Sequence, residues 1–427
     1  MQNEGISIAA KPVRVMPFLK QFVVGVFLIS WHALASAQTL QAYLDSAGIN
    51  NPVVLENRNL SAIAELEAAK IKAQYRWPEI STTANFLYAP VVRDFGYDNS
   101  ITNGALYSAQ VNANMPLFTG PQMEAQVKNS LLNQQVYRQN TVLSQHDLTR
   151  QVTEQYILTW QNLERITTTR RLVDLLAEQE KLVRVFAENA ILSQSDVLFF
   201  TIEKDNQLLA LRDFQMAYQQ GLATLNLLCG RVDTANVQLQ QPNLSLNKDT
   251  IGLSNFLKMY QLDSLVAASN QEVSELKYRP QVDAFANNGV NAILLKDLYK
   301  KFGFSVGLNF SMTIFDGNQR SLTRQQTQLS LLTTQSKRAF QDKQVQQQRL
   351  IAMQNIQLLD AKIEAVQRQL TDYETLLKFY RERIARGELS VNDFMNTFKS
   401  YAGLEGDFTY LKTSRLLLIN DYNYWNW

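Results

Sequence analysis

Two aspartates stand at matched places in the chain, each behind a leucine and a serine: Leu192-Ser193-x-x-Asp196 and Leu389-Ser390-x-x-Asp393. A serine three residues before a carboxylate has the N-cap to N3 spacing of a helix start, with the carboxylate beside the positive helix end. A ring of such carboxylates around a pore would also attract cations or receive a partner protein. Both roles stay open at this point. Arg383 and Arg386, in the turn before the second reversal, are candidates for docking a partner.

No catalytic constellation accompanies them. The chain has no P-loop and no His-Glu-x-x-His. Of its two histidines, one lies within the first 37 residues, and His146 sits mid-helix and reads as structural. The single cysteine, Cys229 beside Gly230, excludes a disulfide framework and a cysteine-based metal site. It reads as a small buried residue. The reading is therefore a protein that is not an enzyme and holds no cofactor or metal.

The elements that would position the aspartates begin after a leader. Residues 1–37 read as a secretory signal peptide: Lys11, Arg14 and Lys20, then an apolar run from Phe22 to Leu34, then Ala35-Ser36-Ala37. Beyond them, basic and acidic side chains are equal in number, so there is no basic field for nucleic acid. No later apolar run is long enough for a membrane helix, so any entry into a membrane must be as strands. Gly and Pro are few, 16 and 9 in 427 residues, which favours long elements.

The chain is internally duplicated. Met115-Pro-Leu-Phe-Thr-Gly120 recurs as Met312-Thr-Ile-Phe-Asp-Gly317, and the Leu-Ser-x-x-Asp motif recurs at the same offset of 197. Trp77-Pro78-Glu79-Ile80 is matched by Arg279-Pro280-Gln281-Val282. Each half opens with a helix, roughly Leu40 to Gln74 and Ile251 to Lys277, ended by a proline. Two strands follow. Tyr107 to Met115 and Phe302 to Met312 alternate apolar and polar residues, as a strand with one lipid face and one wet face would. Of the strands before them, Ile80 to Tyr88 is less regular, and Val282 to Asn287 puts Phe285 on the wrong side.

The period then changes. From Gln122 to Gln220, and from Asn318 to Arg386, there is neither Gly nor Pro. Ile356, Leu359, Ile363, Val366, Leu370, Tyr373, Leu377, Tyr380 and Ile384 form a heptad seam. The first stretch offers two weaker stripes, Val173-Leu176-Val183 and Leu175-Leu182-Phe186, as if packed on two neighbours. Thr119 with Gln122, and Asp316 with Gln319, have helix-start spacing. The predicted divisions are 38–230 for the first repeat (strands about 79–117, helices about 120–230) and 231–250 for a linker or equatorial segment, with a short strand at Val237-Gln-Leu-Gln. The second repeat is 251–427 (strands about 281–314, helices about 316–420).

This pattern resembles the TolC-like outer-membrane efflux protein family. The resemblance rests on the junctions Leu117-Phe118-Thr119-Gly120 and Ile314-Phe315-Asp316-Gly317, the two Leu-Ser-x-x-Asp reversals, and the proline before each hairpin. It covers essentially everything after the leader. It implies an α+β membrane protein of two tandem helix, β-hairpin and long helical hairpin repeats. Three subunits would share a twelve-stranded outer-membrane β-barrel continued by a periplasmic coiled-coil tunnel. It implies a passive exit duct for efflux or secretion, a homotrimer set in outer-membrane lipid and served by a periplasmic adaptor and an inner-membrane transporter.

The resemblance places the tunnel tip and adaptor contact at Leu192, Ser193, Asp196, Arg383, Arg386, Gly387, Leu389, Ser390 and Asp393. It places the barrel-to-helix junction at Pro116, Phe118, Gly120, Phe315, Asp316 and Gly317. There are departures: Asn189-Ala190 stand where Arg386-Gly387 stand in the second half, Asn396 replaces a second acid, and Leu389 replaces a latching arginine. The alternative is a periplasmic coiled-coil adaptor or scaffold without a pore, against which the duplicated alternating strands argue.

Overall fold

The computed structural model describes residues 38–89, 93, 95, 105–232, 237–248, 254–384, 386, 388 and 390–427. The leader, Gly387 and Leu389 lie outside the described residues. In chain order the elements are α1 (Leu40–Asn50), α2 (Pro52–Arg76), β1 (Glu79–Tyr88), β2 (Ala105–Leu117), α3 (Gly120–Glu188) and α4 (Gln194–Leu228). Then come α5 (Asn255–Leu276), β3 (Gln281–Ala292), a 3-10 helix (Leu295–Lys300), β4 (Phe302–Ser311), α6 (Gln319–Ile384) and α7 (Val391–Trp425).

The first helix is broken where continuity was expected. Pro52 has no N–H to continue α1, and Asn51 turns out to extended geometry. The Asn51 side chain then accepts from Val53 N at 3.0 Å, so α2 starts with a capped first turn and Pro52 inside it.

The four strands form one antiparallel sheet in the order β1-β2-β3-β4. The register sets Phe86 against Tyr107, Ala109 against Val290 and Ala284 against Leu308. Alternation then sorts the side chains. One face gathers Ile80, Phe86, Phe304, Leu308 and Phe310, each at least 68% exposed. The other face carries Ser108, Gln110, Asn112, Asn287 and Asn309; on it Asn112 Nδ2 donates to Thr83 Oγ1 at 2.9 Å. The outer edges of β1 and β4 meet no strand among the described residues.

β3 runs to Ala292, beyond the Asn287 expected for it. Phe285 masked its alternation by facing the polar side, where its ring lies over Gly307, its partner across the pair. A Cβ at 307 would fall 2.5 Å from that ring. At Gly289 a Cβ would fall 2.2 Å from Ala109 O, so a glycine there lets β2 and β3 approach.

The helices form a layer continuous with the sheet. At 1.5 Å per residue, the 69 residues of α3 reach ~100 Å. Near the sheet α3 packs on α2 and α5, and α5 on α6; farther away α3 packs on α4 and α7, and α7 on α6. The order across the layer is therefore α2-α3-α5-α6 near the sheet and α4-α3-α7-α6 at the far end. The two stripes on α3 answer to these two neighbours, although Leu172 is buried rather than Val173, and Leu182 is exposed. All nine residues of the α6 seam are buried or pack against buried cores, with Ile356 facing Ile419 and Tyr422.

At mid-length a second core joins Tyr43, Val54, Tyr156, Trp160, Leu225 and Cys229. The short strand expected at 237–240 is a single bridge, Gln38 to Leu239. Tyr218 pins it by donating to Val237 O at 2.6 Å, and the Tyr156 hydroxyl lies 2.7 Å from Gln240 O. Burial pushes the Cys229 thiol up to about 11, and Sγ donates to Tyr43 O at 3.3 Å. The thiol is therefore an inert packing group.

Gly289→Ala is expected to break the β2–β3 pairing, because backbone rather than a movable side chain blocks the new methyl. Gly307→Ala is expected to be milder, because the Phe285 ring can rotate away. Loss of sheet signal in circular dichroism for the first variant only would match this; equal behaviour of the two would contradict it.

Candidate functional site

The far ends of the long helices carry the first group of candidate residues. α3 ends in a left-handed residue, Ala190, at φ +56°, and Ile191 N donates back to Phe186 O at 2.9 Å. Glu388 N donates to Arg383 O at 2.9 Å in the same way at the second reversal. Ala190 occupies the place that Gly387 holds in the other half. A side chain in that conformation costs ~1–2 kcal/mol, offset by the closure of the reversal.

The two serine–aspartate pairs are not equivalent. Ser193 and Asp196 form a complete capping box: Asp196 N donates to Ser193 Oγ at 3.3 Å, and Ser193 N donates to Asp196 Oδ2 at 2.9 Å. The Ser193 hydroxyl also donates to Asp196 Oδ2, at 2.7 Å. At the second reversal Ser390 Oγ accepts from Asn392 N at 3.1 Å instead. The Asp393 side chain is exposed and makes no hydrogen bond or ion pair with the described residues. The spacing predicted a cap for both aspartates; only Asp196 serves as one.

Arg383 is turned onto its own loop, donating to Glu388 O at 3.4 Å with the Glu388 carboxylate 3.8 Å away. Arg386 is exposed and has no partner among the described residues. Leu192 packs against the core of the tip, where Phe200 and Phe394 meet at 5.6 Å between ring centroids. The sequence reading passed over an exposed apolar group on the first reversal: Ile191, Leu198, Phe199 and Ile202, each at least 50% exposed. The signal was present, since Leu198, Phe199 and Ile202 lie off the buried stripe of α4.

Polar links cross the helices behind the tip. Buried Glu180 on α3 accepts from Lys204 on α4, and Lys399 on α7 lies 3.5 Å from buried Glu203 on α4. Arg171 on α3 donates to Glu405 on α7 at 2.5 Å, and the Tyr401 hydroxyl donates to the same carboxylate at 2.7 Å. Buried carboxylates need such partners, so these pairs hold α3, α4 and α7 in register.

The second group sits where strands become helices. Pro116 lies in β2 opposite Asp283. Phe118, at φ +57°, makes the first corner. Thr119 precedes α3 but makes no side-chain cap bond, contrary to its spacing, while Pro121 stands in the first turn, where its missing N–H costs little. Gly120 is helical with open space around it, so neither conformation nor crowding demands a glycine. The second corner falls at Gly317, φ +65°, and Asn318, φ +70°. Phe315 is exposed beside it. Asp316 accepts from Arg320 N at 2.7 Å, one residue beyond the expected Gln319. Glu275 at the end of α5 accepts from Arg324 Nε at 2.5 Å and Arg320 Nε at 2.6 Å. These two guanidiniums hold its carboxyl down to about 2.

A Gly-x-Ser-x-Gly run, expected to be absent, is present at Gly303 to Gly307, but it lies inside β4 and not at a strand-to-helix turn, so it forms no nucleophile elbow. His146 lies elsewhere, donating from Nε2 to Tyr424 O at 2.9 Å and stacked on Trp427. Among the described residues no cluster of His, Cys, Asp or Glu could hold a metal ion, and no helix is long and apolar enough to cross a membrane.

Ala190→Gly is expected to stabilise the fold by about 1 kcal/mol, read as a higher denaturant midpoint; an unchanged or lower midpoint would refute the strain. Glu275 titrates below its ordinary 4.5, so its contribution is present above that pH and lost as pH falls towards about 2. Glu275→Gln should lower stability at neutral pH and remove that part of the acid sensitivity. A variant with the wild-type pH profile would show the pairing to be inconsequential.

Neither a protein-family model nor a curated protein matches the sequence. Solved structures do match in shape. The Campylobacter jejuni CmeC outer membrane channel aligns over 91% of this chain and 85% of its own, with a TM-score of 0.72 and 12% identity. The Vibrio cholerae outer membrane protein VceC aligns over 91% and 95%, with a TM-score of 0.71 and 14% identity. The Neisseria gonorrhoeae MtrE outer membrane channel in its open state aligns over 91% and 88%, with a TM-score of 0.71 and 14% identity. With its four-stranded sheet, its two helical hairpins and these neighbours, the chain has the TolC-like outer-membrane channel fold.

Proposed function

We propose that the chain is one subunit of a homotrimeric outer-membrane channel that serves as a passive exit duct for efflux or secretion. One observation carries the reading: the sheet is apolar on one face, polar on the other, and unpaired at both edges among the described residues. In lipid an open edge is not tolerated, and four strands are too few to close, since the smallest barrels have about eight. Three copies of the four-stranded sheet give a twelve-stranded barrel with its apolar face in outer-membrane lipid.

The helical layer supports the same closure. Its end members α4 and α6 each keep an apolar stripe that meets no helix among the described residues, Ile202, Leu209 and Met216 on one and Leu350, Leu358 and Phe379 on the other. Setting α6 of one copy beside α4 of the next buries both stripes and repeats around a ring. A coiled-coil scaffold without a pore would have no use for a sheet of this two-faced kind.

The sheet then lies in the outer membrane and the helices form a periplasmic tunnel. The chain has no nucleotide motif, so energy comes from an inner-membrane transporter reached through a periplasmic adaptor. The contact for that adaptor is the tip: Leu192, Ser193, Asp196, Arg383, Arg386, Gly387, Leu389, Ser390 and Asp393, with the exposed Ile191, Leu198 and Phe199 added. Asp393, without a side-chain partner among the described residues, is the carboxylate that meets ions in the lumen. The balanced charge leaves no surface for nucleic acid.

In planar bilayers the purified oligomer is expected to give steady pores. Asp393→Ala should lower cation selectivity severalfold. Asp196→Ala should leave selectivity unchanged and cost ~1 kcal/mol of stability through the lost cap. A folded oligomer without pores would overturn the channel. Pores indifferent to Asp393→Ala would remove that residue from the ion path.

A further inference from the structure

The β3–β4 connection does not look like a loop meant for water. Connecting segments on a protein surface are ordinarily polar, yet here Ile293, Leu294, Leu295 and Tyr299 are exposed by 43%, 40%, 62% and 75%. In the chain they lead directly into Phe302 and Phe304 on the apolar face of β4, 68% and 82% exposed. The helices join the strands at the opposite end, so this connection is at the end farthest from them.

Lysines are set among these apolar residues. Lys296, Lys300 and Lys301 are exposed, and Asp297 is the one acid in the segment. The strands β1 to β4 themselves contain no lysine or arginine. Lys300 Nζ sits 5.2 Å from the Tyr299 ring centroid. Apolar and aromatic groups edged with lysine are suited to a membrane surface, where the rings settle among the headgroups and the ammonium groups reach the phosphates.

We infer that the Leu295–Lys300 turn, with Lys301, lies on the membrane surface and binds the phosphate groups of a phosphorylated lipid of the outer leaflet. The argument rests on the outer-membrane reading above, which makes the helix-distal end the outward one. Continuity with the lipid-facing strands selects a lipid-borne phosphate over a free one. A water-soluble partner would leave the adjoining Phe302 and Phe304 unexplained.

The test reconstitutes the oligomer into phosphatidylcholine vesicles with and without bis-phosphorylated lipid A and follows the temperature at which it dissociates. Lipid A is expected to raise that temperature, and high salt should reduce the gain. In Lys296→Gln/Lys300→Gln/Lys301→Gln the gain should fall by more than half, with apparent lipid affinity weakened on the order of fivefold per lysine. Replacing the same three lysines by arginine should retain it. A glutamine variant that keeps the full gain, or an equal gain from inorganic phosphate in plain vesicles, would overturn the inference. Failure of the wild type to insert into plain vesicles would overturn the membrane reading itself, whereas insertion without any effect of lipid A would overturn only the lipid site.

Discussion

In hydrocarbon, a strand edge without a neighbour leaves a row of N–H and C=O groups with nothing to bond, at several kcal/mol for each group. The β1 and β4 edges present two such rows. Other features of the molecule are consistent with their being closed by further copies. Alternation faces Phe304 and Leu308 one way and Asn112 and Asn309 the other, as suits the proposed barrel with lipid outside and water inside. Gly289 and Gly307 give up side chains so that the strands approach and Phe285 can lie over its partner. The helix layer ends in apolar stripes on the same two sides, α6 on one and α2 or α4 on the other.

Where the protein keeps order internally, it does so by different means at different heights. At mid-length, tyrosine hydroxyls hold an extended segment that has no sheet to join: Tyr218 reaches Val237 and Leu239, and Tyr156 reaches Gln38 and Gln240. Towards the tip, packed aromatics carry the load, with Phe200, Phe394 and Phe398 fully buried. Truncating one such ring typically costs 3–5 kcal/mol, far more than the exposed ion pair between Arg368 and Glu364 contributes.

Much of this was legible in the chain because it is local. The seam from Ile356 to Ile384 follows a period that only a packed helix satisfies, and it is buried as that period requires. The capping box at Ser193 and Asp196 needs three residues of spacing and nothing else. What escaped depends on partners distant in sequence. Phe285 looked misplaced because its partner, Gly307, lies on another strand. Arg171 and Glu405 show no relation until α3 and α7 pack side by side. The break at Pro52 could have been read, since proline ends a helix unless a new one starts there. The different fates of Asp196 and Asp393 could not, because their local patterns match and only the bond made by Ser390 separates them.

That difference bears on rotational order. A duplicated chain repeated three times would approximate a sixfold object, with six like positions around the axis. In such a trimer the capping box would engage three of the six carboxylates in helix starts and leave three exposed, since one chain caps with Asp196 and not with Asp393. The apolar group of Ile191, Leu198 and Phe199 belongs to one reversal, whereas the second carries Arg383, Arg386 and Glu388. Seen down its axis, such a tip alternates greasy and charged sectors. It would be threefold in its chemistry though nearly sixfold in its backbone, so a partner with six identical contacts would find only every second one to its liking.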